Sequence, residues 1–209
     1  MKEIVQVAAI SDIHCTKTSQ GIFQPLFSQI TDSADVLVMC GDLCDSGLPE
    51  EARVLAKELT TAVRIPVVAV LGNHDYESGK QEEVEQIISD AGVHILNGNA
   101  CEIHGVGFAG VKGFAGGFDD RALQPWGEEI IKRFVHEAVE ESLKLESGLA
   151  MTPNCGPKFG LEKRLAEMLL LTSSSVQETA SPGSIRRGSR TPARGKSWGL
   201  AYDFARLKK

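Results

Sequence analysis

Leu71-Gly72-Asn73-His74-Asp75 closes a short apolar run, Val67 to Val70, and two shorter stretches upstream repeat the arrangement. Ser11-Asp12-Ile13-His14 follows the run Ile4 to Ile10, and Gly41-Asp42 follows Val36 to Met39. Short apolar runs bounded by turn residues read as buried strands. Open α/β sheets gather ligands at the carboxyl ends of their strands. Three such strands in succession carry oxygen and nitrogen donors to one edge. The chain therefore reads as an α/β protein with a candidate cation site there.

The segments between these strands are helical in pattern. Phe23, Leu26, Phe27 and Ile30 fall at helical spacing, with Pro25 near the start, and predict a helix over Phe23 to Thr31. Pro49 opens a second, from about Glu50 to Thr61, with Val54, Leu55, Glu58 and Leu59 on one side. A third runs from Gln81 to Ala91 and stops at Gly92. Alternation of strand and helix predicts a parallel sheet with right-handed crossovers.

The rhythm then changes. Val93 to Leu96, a turn at Asn97-Gly98, and Ala100 to Ile103 read as a hairpin, with Val106 to Val111 as a further strand. Gly113 to Asp120 is a glycine-rich loop. A long helix over about Trp126 to Ser147 follows, ended by Gly148. It is expected to bury Ile130, Ile131, Phe134, Val135, Ala138, Val139 and Leu143, and to show Lys132, Arg133, Glu137, Glu140, Glu141 and Lys144 to solvent.

Composition bounds the rest. With 209 residues, 42% hydrophobic and 24% charged, the chain has the make-up of a soluble globular protein. No apolar run approaches a membrane span. Glu3 and Gln6 interrupt the first run and no small-residue cleavage site follows it. A cytoplasmic protein without a membrane partner is expected. Five cysteines, an odd number without repeated spacing, argue against a disulfide framework. Cys15, Cys40 and Cys44 lie beside the candidate donors, but an oxygen-rich set favours reading them as small buried residues rather than thiolate ligands.

Residues 1–150 hold 11 basic and 24 acidic side chains, whereas residues 151–209 hold 11 and 4. So sharp a change marks two kinds of sequence: a domain over 1–150, and a basic tail over 151–209 rich in Ser, Gly, Pro and Arg. Within the tail, Leu161 to Leu171 is a short helical candidate, and Thr172 to Ser197 has too few apolar residues to offset its ordering entropy. Arg186 to Lys196 is read as a solvated stretch rather than a nucleic-acid contact.

The donor set suggests a chemistry. In extended backbone, positions two apart face the same way, so Asp12 and His14 are expected to face one cation. The two oxygens of Asp42 can bridge two ions, and Asn73 offers a neutral oxygen. Asp75 is placed to orient the His74 imidazole. Mixed nitrogen and oxygen ligation suits Mn, Fe, Zn or Ni better than Ca or Mg. Two such ions about 3.5–4 Å apart polarise a phosphoryl group and supply hydroxide near neutral pH. His74 is then free to protonate the leaving alkoxide.

The motifs D-x-H, G-D and G-N-H-D, about 30 residues apart, resemble those of the calcineurin-like metallophosphoesterase family. The glycine-rich stretch Val111 to Phe118 and the long helix after it are also similar to that family's middle portion. The resemblance covers residues 1 to about 150. It implies a two-sheet α/β sandwich with a dinuclear centre that cleaves a small phosphomonoester or phosphodiester. Asp12, His14 and Asp42 would hold one metal, Asp42 with Asn73 part of the other, and His74 would be the acid.

The family's further ligands, a histidine after a later strand and a G-H-x-H motif, have no counterpart, since no histidine follows His136. His94, His104 and His136 read as structural or solvated. The sandwich is therefore expected to be incomplete, with a sheet edge left open. Charge sign, composition and motif content all change near Met151. We expect the residues beyond it not to be the family's own C-terminal half, as a shifted reading frame would produce. Translation of the coding DNA in its other two frames checks this, and finding no strand-rich stretch with G-H-x-H there would end the idea.

Two other functions compete with the phosphoesterase. A non-catalytic module could bind one metal or a phosphate, or offer a partner surface. A nucleotide-binding module is disfavoured, because neither a Walker loop nor G-x-G-x-x-G follows the first strand.

Overall fold

The computed structural model describes residues 4–113 and 123–151, and the backbone of residues 202–208. Strands β1 (Ile4–Ile10), β2 (Val36–Cys40), β3 (Val67–Val70) and β4 (Val93–Ile95) run parallel, in the spatial order β4-β3-β2-β1. Every residue of β2 and β3 is buried. Both faces of the sheet are covered, which is why these strands are continuous apolar runs rather than alternating ones.

The two faces pack different partners. Leu37 and Met39 point to a core shared with Phe27, Ile30, Leu55 and Ile88 of helices α1 (Gln24–Ser33), α2 (Pro49–Ala62) and α3 (Gln81–Asp90). Val36, Val38 and Cys40 point the other way, to Leu96, Ile103 and Phe108. Ile103 and Phe108 belong to β5 (Ala100–Ile103) and β6 (Val106–Ala109), which form a second, antiparallel sheet. The two-sheet α/β architecture expected from the sequence is present.

Helix α1 begins without a side-chain cap of its own. The fully buried carboxylate of Glu58, on α2, supplies the missing acceptor: it takes hydrogen bonds from Gly21 N at 2.7 Å, Phe23 N at 3.2 Å and Gln24 Nε2 at 3.4 Å. An anion at the positive end of a helix is favourable. On α2 itself, Glu51 Oε2 accepts from Leu48 N at 3.2 Å and Ser46 N at 3.0 Å. Leu48 has no side-chain acceptor, so only this half of a capping box exists. Both carboxylates pin the loops that leave the sheet's carboxyl edge.

Two expectations are corrected. Val93–Ile95 does not turn back on Ala100–Ile103; it joins the main sheet beside β3, and the hairpin is β5–β6. His104 (φ 54) and Gly105 (φ 79) both take left-handed backbone, as a two-residue hairpin turn of type I′ requires. Gly148 does not end the long helix, which is α4 (Glu129–Met151). It sits inside the helix, where a Cβ would lie 3.0 Å from the Asn99 carbonyl oxygen, so it lets the helix approach that loop.

The burial expected of α4 is also corrected. Ile130, Phe134, Val139 and Leu143 are exposed, Ile131, Val135 and Ala138 are half-buried, and the buried residues are Glu141 and Gly148. Glu141 Oε1 lies 3.5 Å from Lys112 Nζ, just after β6, which ties this side inward, and 2.7 Å from Lys144 Nζ one turn along the same helix.

Backbone 202–208, within the basic tail, is strand β7 (Tyr202–Lys208). It pairs antiparallel along all of β1, from Ile4 opposite Lys208 to Ile10 opposite Tyr202, and covers that edge of the main sheet. The glycine-rich loop lies outside the described residues over 114–122, as do the helical candidate Leu161 to Leu171 and most of the basic tail. The division at residue 150 remains a reading of composition.

Candidate metal centre

The turns after β1, β2 and β3 meet at the carboxyl edge of the sheet. After Ile10 the ladder is broken and then resumed: Asp12 N donates to Gly41 O at 3.2 Å, His14 N to Asp42 O at 3.0 Å, and Cys15 N to Leu43 O at 3.0 Å. Three residues at the break have left-handed backbone: Asp12 (φ 54), His14 (φ 46) and Asp42 (φ 48). Each such residue with a Cβ costs roughly 1–2 kcal/mol. Backbone strain of this kind persists where the surroundings over-determine it, and it clusters at functional sites.

Two features of Leu71-Gly72-Asn73-His74-Asp75 hold the third turn against the second. A Cβ at Gly72 would collide with Asp42 N and Oδ1, so only glycine permits the approach. His74 N then donates to Asp42 Oδ1 at 3.0 Å. The fully buried Asp75 carboxylate accepts three backbone amides, Cys44 N at 2.7 Å, Gly72 N at 2.8 Å and Leu43 N at 3.1 Å. Burial pushes the Asp75 carboxyl up, and these three donors pull it back.

Asp75 thus joins the second and third turns by their backbones. The group on His74 Nδ1, which the sequence assigned to Asp75, is the Asp45 carbonyl oxygen at 2.7 Å. That bond, with the Asp42 and Glu77 carboxylates nearby, holds the imidazole above its ordinary range despite some burial. The Asp45 carboxylate also lies 3.5 Å from His14 Nδ1. The two rings stand edge to face, centroids 4.5 Å apart at 85°. Asp45 escapes sequence reading: it falls three residues after Asp42, and only the fold shows that its carbonyl meets a histidine from another strand.

His14, Asp42 and His74 each present one donor atom, and these atoms all lie within 4.8 Å of one another. Two imidazoles and a carboxylate fit a divalent first-row ion such as Mn, Fe, Zn or Ni. Asp12 stands outside this group and is exposed. The expectation that Asp12 and His14 share a face assumed extended backbone, and their left-handed φ values remove that premise. Asn73 is exposed on the rim, next to His74. His94, His104 and His136 are exposed.

The described cysteines, Cys15, Cys40, Cys44 and Cys101, are free thiols. Burial pushes Cys15 and Cys40 up to about 12 and Cys44 higher still.

Residues 5–138 match the calcineurin-like phosphoesterases. The chain belongs to that family. No curated protein matches the sequence. Ten chains of known structure match. One of these, a crystal structure, is 15% identical with a TM-score of 0.45, over 64% of this chain; the match spans 65% of that protein's length. In this member of the family, donor atoms of His14, Asp42 and His74 converge among the described residues. Among the described residues, no helix is long and apolar enough to cross a membrane.

Proposed function

We propose that the chain hydrolyses a small phosphomonoester or phosphodiester with a divalent metal held at the carboxyl edge of the main sheet. The convergence of His14, Asp42 and His74 donors within 4.8 Å carries this reading. A bound divalent ion would polarise the phosphoryl group and lower the pKa of water. His14 and Asp42 would hold it. Asp45 orients both imidazoles, one through its carbonyl and one through its carboxylate. Asn73, exposed and neutral beside His74, can donate a hydrogen bond to a phosphoryl oxygen without adding negative charge. Partner nucleic acids and membranes play no part in this reading, and the compartment proposed is the cytoplasm.

Purified full-length chain with Mn2+, assayed on p-nitrophenyl phosphate and bis-p-nitrophenyl phosphate beside His74→Ala, tests the proposal. Turnover that the substitution abolishes supports it. Identical background from both proteins overturns it and leaves the second reading, a module that binds a metal without catalysis. One observation favours that alternative: among the described residues a single three-donor cluster is present.

A further inference from the structure

We infer that the outward side of α4 is a self-association surface, on which a second copy of this chain lays its own α4 antiparallel about a two-fold axis at Val139. The inference concerns this helix alone and does not rest on the phosphoesterase reading.

The helix carries more apolar surface than its own chain covers. Of the nine large hydrophobic residues that are exposed among the described residues, seven fall between Leu123 and Met151. Scattered exposed hydrophobics need no explanation, whereas a concentration of them on one element marks an interaction site. The buried Glu141 and Gly148 define the side of α4 that faces the rest of the fold. At 3.6 residues per turn, Val139 falls about 160° away from Glu141, and Leu143 continues its stripe one turn further on. Val139 and Leu143 are 52% and 56% exposed. Half-buried Val135 extends the stripe one turn the other way.

The charges that end the stripe identify what covers it. Lys132 lies seven residues before Val139 and Glu146 seven after it. Both are exposed, and among the described residues neither is in an ion pair. Seven residues make about two turns, so both fall on the side of Val139. A two-fold axis there sets Lys132 of each copy opposite Glu146 of the other, and Val135 opposite Leu143. The surface is thus self-complementary, as the isologous interface of a symmetric dimer requires.

A parallel pairing would set Lys132 against Lys132 and Glu146 against Glu146, like charges that disfavour it. Exposed ion pairs contribute little affinity but fix orientation and register. Burial of the three apolar side chains supplies the attraction. Roughly four helical turns make a small contact, so the dimer is reversible.

Sedimentation velocity of the full-length chain across micromolar concentrations tests the inference. The wild type should show a monomer–dimer equilibrium. Lys132→Glu and Glu146→Lys each set like charges together in two places, and each should raise the dissociation constant at least about tenfold. Mixed in equal amounts, the two variants should pair with each other as tightly as the wild type, because each supplies the charge the other lost. Recovery in the mixture shows that both variants are folded, and circular dichroism checks each one alone. Val139→Asp, at the axis, should give a monomer and serves in place of either reversal that loses helix content.

A wild type that stays monomeric at every concentration would overturn the inference, and would leave residues 152–201 or a different protein to cover the stripe. A dimer that neither the reversals nor Val139→Asp weakens would overturn it too. So would a mixture that fails to recover although both variants keep the wild-type helix content.

Discussion

The carbonyl oxygen of Asp45 stands 2.7 Å from Nδ1 of His74. The same residue's carboxylate is 3.5 Å from Nδ1 of His14, so one residue in the second turn supports imidazoles from the first and the third. The two supports can be separated experimentally. Asp45→Ala keeps the carbonyl on His74 and removes the carboxylate beside His14. Metal affinity should fall on the order of tenfold, the lower end of what removing an outer partner costs, with binding stoichiometry unchanged. Isothermal titration with Zn2+ reads both quantities. An affinity equal to wild type would show that the Asp45 carboxylate does not support His14.

Gly72 is the residue the second and third turns cannot replace. A Cβ there would overlap the backbone nitrogen and a carboxylate oxygen of Asp42. Backbone cannot rotate away as a side-chain tip can, so Gly72→Ala forces the two turns apart. Overpacking of this sort typically costs 1–3 kcal/mol, and we expect about 3 kcal/mol here, together with loss of the donor cluster. A urea titration measures the first and Co2+ binding the second. Wild-type values of both would show that the turns separate at no cost.

How much of this was legible beforehand depends on what kind of signal each part left. β2 and β3 are buried on both faces, so their apolar runs were unmistakable, and helices with a single apolar stripe showed their period. The β4–β5 connection misled because Asn97-Gly98 is a hairpin dipeptide, while the real turn uses His104, whose left-handed backbone leaves little trace in the sequence. Helix α4 misled because its inward side carries Glu141 facing Lys112, a long-range pairing that no periodicity encodes. His14, Asp42 and His74 were singled out from their place after strands, His14 and Asp42 as metal donors and His74 as the acid. Asp45 and the bonding of Asp75 were not, since both act through backbone atoms from distant segments.

Asp75 should prove structural in strength and only indirectly catalytic. Its carboxylate accepts three backbone amides with no exposure to solvent. Asparagine offers one accepting oxygen and turns an NH2 toward at least one of those donors. Bonds to a charged acceptor contribute about 1.5–3 kcal/mol each, and stranded buried donors add to the loss. Asp75→Asn should therefore destabilise the chain by about 3–5 kcal/mol in chemical denaturation. A change below about 1 kcal/mol would mean that the second and third turns do not depend on this carboxylate.

Helix α4 should loosen at both ends of the pH scale, at the acid end through its contact with Lys112 and at the alkaline end through a pair within the helix. Lys112 Nζ lies 2.5 Å from Glu137 Oε1, and this bond holds the Glu137 carboxyl below its ordinary value of 4.5. A carboxylate depressed in the folded state adds stability that is complete above the unfolded value and is lost as pH falls through the lowered one. Lys144 behaves in the opposite sense: its bond to Glu141 holds it above 10.5, so its contribution is complete below that value and is lost as pH rises through the raised one. Both Glu137 and Lys144 are about half exposed, so solvent and salt screen each contribution and the effect is local rather than global. Hydrogen exchange of the α4 amides, corrected for the intrinsic pH dependence of exchange, should show faster opening below about pH 4.5 and above about pH 10.5, with a plateau between. Glu137→Gln should raise exchange across the plateau and flatten the acid limb, and 1 M salt should do the same in the wild type. Unaltered acid-limb exchange in Glu137→Gln would show that the Lys112 contact does not hold this helix to the β5–β6 hairpin.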